Sequence, residues 1–185
     1  MVTEQAIPSK EELLEALRSS ERTVLERLSA IPEAEFEQGR YENGWNARQI
    51  LAHVASIEWT YPRLIDLAQQ ATSPAPSEGP PEVRRTGPSE SQGTASAPMR
   101  GGIDGYNERQ VEKRAQASVA ELLAEFQKNR AATIAAVEAV DEALLTTPIR
   151  SAGGVTGALA SVIQAIAVLH ILGHVNDIVG GPGPS

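Results

Sequence analysis

The stretch Ala165-Ile166-Ala167-Val168-Leu169-His170-Ile171-Leu172-Gly173-His174-Val175-Asn176-Asp177 decides how this chain is read. It lies in the most apolar segment, Val155 to Val179, and holds two of the chain's three histidines. Side chains four apart project from one helix face, so His170 and His174 form an imidazole pair on an otherwise apolar helix. The segment is long enough to span a bilayer. It also carries Gln164, Asn176, Asp177 and many small residues, with no basic flank, and so reads as a buried core helix with no membrane role. The third histidine sits in a second apolar helix, Gln49-Ile50-Leu51-Ala52-His53-Val54-Ala55-Ser56-Ile57.

The other helices follow from their start and stop signals. Ser9-Lys10-Glu11-Glu12 is a capping box, followed at helical spacing by Leu13, Leu14, Leu17, Val24, Leu25 and Leu28. Helix one is expected from Lys10 to Ala30, where Ile31-Pro32 stops it. Asn46-Ala47-Arg48-Gln49 opens helix two, expected to run to Gln70, with a kink near Trp59 to Tyr61 because Pro62 falls inside it. A short helix is expected over Tyr106 to Ala115. Ser118-Val119-Ala120-Glu121 caps helix three, which carries Leu122, Leu123, Phe126, Ile134, Val137 and Val140 and ends near Glu142. Helix four spans Val155 to Val179, and no segment reads as a strand. The expectation is an all-α four-helix bundle in a single domain over residues 1–185. Ala71 to Gly105, rich in Pro, Ser and Gly, is read as a long loop between helices two and three, either functional or mobile.

That loop and the histidines support one topology. His53 lies roughly 10 Å from the start of helix two, and His170 and His174 roughly 8–13 Å from the end of helix four, at 1.5 Å per residue. The three rings share a level only if those helices run antiparallel. Simple alternation would make them parallel; a long crossover between helices two and three reverses this. The predicted order is up, down, down, up. Ile50, His53, Ile57 and Leu64 form one stripe, and Ile163, Ile166, His170 and His174 another, so the imidazoles point toward the core. A lone histidine on an apolar face is ordinarily core filler. A pair with a third at the same level makes three metal ligands with positions left open, the arrangement of a catalytic site.

Composition narrows the chemistry. The net charge of −8 argues against nucleic acid, which needs a basic face. There is no cysteine, hence no disulfide, thiolate ligand or cysteine nucleophile. Met1 to Lys10 has no signal-peptide pattern, and a soluble cytoplasmic protein is expected.

Gly44-Trp45-Asn46-Ala47-Arg48-Gln49-Ile50-Leu51-Ala52-His53-Val54 and His170-x-x-x-His174-x-x-Asp177-Ile178 together resemble the DinB-like, or YfiT-like, metal-dependent four-helix bundles. That superfamily includes thiol-dependent S-transferases and the N-terminal domain of mycothiol-dependent maleylpyruvate isomerase. The helix order and the stretch around Asn107 are also similar, so the likeness covers nearly the whole chain. It implies His53, His170 and His174 as ligands of a divalent ion, zinc or nickel, and the crossed topology. One position departs from it: relatives often carry glutamine where this chain has Asp177. That carboxylate could support His174 from behind, approach the ion, or be a solvated helix-end group.

Such a site polarises oxygen or lowers the pKa of bound water or thiol. The first expectation is a thiol-dependent S-transferase or isomerase, in which an exogenous low-molecular-weight thiol attacks a small electrophilic substrate. The second is a hydrolase using metal-bound hydroxide, with Glu58 or Asp177 as candidate base; Glu58, off the ligand face, fits a surface salt bridge better. The third is a noncatalytic binding or stress-response module. Tyr61, Tyr106, Asn107 and Arg109 are candidates for substrate contact, or packing and helix-end residues. A homodimer is compatible with this fold, whose members often pair through helix faces.

Overall fold

In the computed structural model, residues 6–39, 44–72 and 102–180 are described. All three capping boxes form. Ser9, Asn46 and Ser118 each accept the amide three residues on and are capped in return by Glu12, Gln49 and Glu121. They start α1 (Lys10–Ser29), α2 (Ala47–Glu58) and α5 (Val119–Ala139). The kink expected at Pro62 is a full break: α2 stops at Glu58, and α3 (Pro62–Thr72) begins on the proline, whose missing amide is harmless in a first turn. α4 covers Gly102–Glu112, earlier than the expected Tyr106 to Ala115. The ends of the expected loop are therefore helical, and its remainder, residues 73–101, lies outside the described residues.

The last helix departs from expectation at its start. Thr156–Ala158 is not helical but forms β2, antiparallel to β1 (Pro148–Arg150). Gly154 turns the hairpin at φ +86°, which a side chain would resist, and Ser151 Oγ accepts the Val155 amide at 3.0 Å. The absence of strands was thus too strong an expectation. Beyond β2, α6 (Leu159–Ile163), a π-helical segment (Gln164–Leu169) and α7 (His170–Val179) run on as one helix. Among the described residues only this helix is long and apolar enough to cross a membrane. Here its apolar side is bundle core, with Leu159, Ile163, Ala167, Ile171 and Val175 all at 0% exposure.

Hydrogen bonds between helices fix their directions. Lys10, at the start of α1, donates to the carbonyls of Glu138 and Val140 at the end of α5, so these two are antiparallel. Arg27, at the end of α1, reaches Asn176 near the end of α7 at 2.6 Å. Asn129 of α5 bonds the Ala55 carbonyl, and Arg130 pairs with Glu58, so α2 and α5 run parallel. His53 meets His174 while Tyr61, further along the chain, bonds Ile166, so α2 and α7 are antiparallel. The order is up, down, down, up. α2 is buried on nearly every side, from Ala47 through Ile50, Leu51, Val54 and Ala55 to Glu58, and it is the element on which the site is built.

Candidate metal centre

α2 and α7 deliver the three histidines to one point. The rings of His170 and His174 stand 4.4 Å apart, edge to face, with their Nε2 atoms 3.2 Å from each other. The His53 ring lies 5.1 Å from His174 and 6.0 Å from His170. One ring nitrogen from each lies within 4.8 Å of the other two. Two nitrogens on one tetrahedral zinc ion, with bonds of about 2.0–2.1 Å, are separated by about 3.3 Å, so the 3.2 Å pair already stands at ligand spacing. His53 Nδ1 is buried and has no hydrogen-bond partner. A buried unsatisfied nitrogen is costly, and a cation is a partner that imidazole accepts. The donor set fits zinc or nickel alike.

Protonation also suits an ion. Burial, aided by His174 and His170, pushes His53 down to about 3. Burial lowers His170 and His174 as well, partly opposed by Asp177. All three rings are therefore neutral near pH 7, the state in which imidazole binds metal. Exposure grades across the cluster: His53 is sealed, His174 is half-buried and His170 is exposed. The site thus has a protein side and a solvent side. Trp45, just ahead of the α2 cap, places its ring 5.4 Å from that of His53 and walls the cluster there.

The remaining expected residues divide. Asp177 Oδ2 stands 3.5 Å from Nδ1 of His174, the nitrogen opposite the one facing His170. From there a carboxylate can orient the ring, as carboxylates behind metal-binding histidines do. Glu58 is not on the surface: it is fully buried, paired with the equally buried Arg130 at 2.9 Å. That corrects the surface salt bridge expected for it. Burial pushes its carboxyl up to about 7, against the pull of Arg130. Tyr61, 4% exposed, lies inside the bundle and donates its hydroxyl to the Ile166 carbonyl. On α4, Tyr106 and Asn107 each hide a polar atom, the hydroxyl and Oδ1, with no hydrogen-bond partner. Arg109 is exposed in the last turn of α4. A cavity of about 140 Å³ lies between α2 and α4, bordered by Arg48, Gln49, Ala52, Val111 and Arg114; none of the three histidines lines it.

Three features escaped the sequence reading. Trp45 lies against a histidine, a contact that no spacing in the sequence indicated. Arg130 was passed over, although it falls in the Leu122, Phe126, Val137 stripe of α5, where a charge is out of place. The π turn before His170 has no marker in composition.

No curated protein matches the sequence. Solved structures do match in fold. Mycothiol-dependent maleylpyruvate isomerase superposes with a TM-score of 0.65 at 16% identity, over 92% of this chain and 61% of that one. The chain thus spans less than two thirds of the isomerase. YfiT from Bacillus subtilis, described as a probable metal-dependent hydrolase with an unusual four-helix bundle topology, gives 0.65 at 14% identity, over 97% of this chain and 90% of that one. A protein from Streptococcus pneumoniae gives 0.63 at 14%, over 94% and 90%. The sequence pattern of the DinB superfamily matches residues 16–177, a span that includes all three histidines, and the chain belongs to that superfamily.

Proposed function

We propose that this chain is a divalent-metal-dependent enzyme in which His53, His170 and His174 hold the ion, zinc or nickel, and a low-molecular-weight thiol attacks a small electrophile on the open side, in S-transfer or isomerisation. The observation that carries the reading is the convergence of three neutral imidazoles graded from sealed to exposed. Among the described residues no fourth His, Asp, Glu or Cys joins them. Structural zinc sites close all four positions with protein ligands, whereas catalytic ones leave one open. When bound, the ion supplies a Lewis acid and lowers the pKa of a coordinating water or thiol.

The surrounding residues favour thiol chemistry. With no cysteine in the chain, the thiol comes from solution. Glu58 is engaged by Arg130, and Asp177 lies behind His174, so neither stands ready to take a proton from water. A thiol needs no such base, because a coordinating thiol is deprotonated outright. Trp45 supplies an apolar wall beside His53. Hydrolysis is the second reading, supported by length: the chain spans 90% of YfiT but only 61% of the isomerase.

The test is metal content by mass spectrometry on protein purified without an affinity tag, beside a His53→Ala, His170→Ala, His174→Ala triple variant. A stoichiometric divalent ion, lost in a still-folded variant, is the expected result. Thiols are then assayed with electrophiles, and esters and amides without thiol separate the two readings. No ion after reconstitution with zinc or nickel would sink both and leave the noncatalytic module.

A further inference from the structure

The helix that carries His170 and His174 is not regular just before them. In an α-helix the His170 amide would bond the carbonyl four residues back, that of Ile166. Here it donates to Ala165, five back. The Ile166 carbonyl instead accepts the hydroxyl of Tyr61 at 2.9 Å. The next carbonyl, of Ala167, accepts Nη2 of Arg130 at 2.6 Å. Two side chains, one from the break between α2 and α3 and one from α5, thus occupy acceptors in the turn that leads into His170.

Both are sealed in the bundle, Tyr61 at 4% exposure and Arg130 at 0%. The guanidinium is held in turn by Glu58, by Ser20 Oγ at 3.0 Å and by the Leu17 carbonyl at 3.3 Å. A buried ion pair is a poor way to stabilise a core, since apolar residues of like volume usually do as well or better. Its presence here calls for a reason other than stability. π turns are uncommon and gather at functional sites, and this one ends where the imidazole pair begins.

We propose that Tyr61 and Arg130 are positioning residues: by occupying the Ile166 and Ala167 carbonyls they hold the π turn and so aim His170 and His174 at His53. A π turn takes in one residue more than an α turn, so reverting it swings the following helix by about one residue's angle, ~100°. That rotation carries both histidines off the face they share with His53. Tyr61 stands at the break between α2 and α3, so the helix that supplies His53 leads directly into the residue that orients its two partners. The functional meaning of this arrangement rests on the three histidines being metal ligands; the ring geometry itself does not.

The experiment uses Tyr61→Phe, which removes only the hydroxyl, and a Glu58→Leu, Arg130→Met double variant, which removes the buried charges together at similar volume. Ring-to-ring nuclear Overhauser contacts of His53 with His170 and His174 are read in metal-free protein, and zinc affinity by chelator competition. With helix content unchanged by circular dichroism, the ring contacts are expected to vanish and zinc affinity to fall about 10-fold or more. Thermal midpoints of the metal-free proteins should move by only a few degrees. Ring contacts retained in both variants overturn the proposal. A wild type that takes up no zinc defeats the metal reading alone, and the ring contacts still decide the positioning.

Discussion

Two polar sites lie between α2 and the Leu159–Val179 helix, and they are opposites. His53 and Glu58 are five residues apart on α2, about 7.5 Å of helix rise. At Glu58 opposite charges pair: the carboxylate faces Arg130 at 2.9 Å, and the guanidinium also bonds Ser20 and the carbonyls of Leu17 and Ala167, all out of water. At His53 the groups are neutral, a buried nitrogen has no partner, and the cluster opens to solvent at His170. A bundle core can hide polar groups in either way. The one that closes on itself is architecture; the one with something left over is where an outside partner belongs.

The largest expected effect breaks the closed site. Arg130→Ala strands the Glu58 carboxylate in the core and should lower unfolding free energy by about 3–5 kcal/mol in urea titrations. His53→Leu, measured on metal-free protein, should change stability little or raise it, because it replaces an unpartnered buried nitrogen with carbon. Equal losses in the two variants would erase the distinction drawn between the sites. The open site is sharpened by Asp177→Asn, which keeps the shape but removes the charge behind His174. Zinc affinity should fall about 10-fold, the low end for such supports, because that carboxylate is 43% exposed. An unchanged affinity would return Asp177 to the role of a solvated helix-end residue.

How much of this was legible in the sequence differs between the same two sites. The open site was readable because imidazoles are scarce here. Three histidines at matched helix levels, with the implied up-down-down-up order, are all set by spacing and capping, which are local properties. The closed site was not. Glu58 is an ordinary helix-end acid in sequence, and its partner lies 72 residues away on another helix. Only packing brings them together, although Arg130 in an apolar stripe was a usable hint. The π turn was hidden for the same reason: Gln164 to Leu169 is good α-helix sequence, and what accompanies its altered hydrogen bonding is a tyrosine and an arginine from elsewhere. The β1–β2 hairpin was lost to the apolar run beginning at Val155, which masked the turn chemistry of Gly153-Gly154.

The two sites should also pull stability in opposite directions with pH. His53 has a folded value of about 3 against 6.5 for the free group. Between those values the unfolded chain holds a proton that the folded chain does not, so stability rises with pH across that window by about 1.4 kcal/mol per unit and is lost as pH falls. Glu58 has a folded value of about 7 against 4.5. There the folded chain holds the extra proton, and stability falls as pH rises through that window with a similar slope. The windows overlap from pH 4.5 to 6.5, where the two terms oppose each other. Urea unfolding of metal-free protein in that range should therefore give a shallow profile for the wild type. His53→Leu should tilt it downward with rising pH, to the extent that Glu58 outweighs His170 and His174, whose lowered values act on the same side as His53. The Glu58→Leu, Arg130→Met double variant should tilt it upward. Parallel profiles in the two variants would mean that the sites are not electrostatic opposites, and that the carboxyl and the imidazole titrate as they would in water.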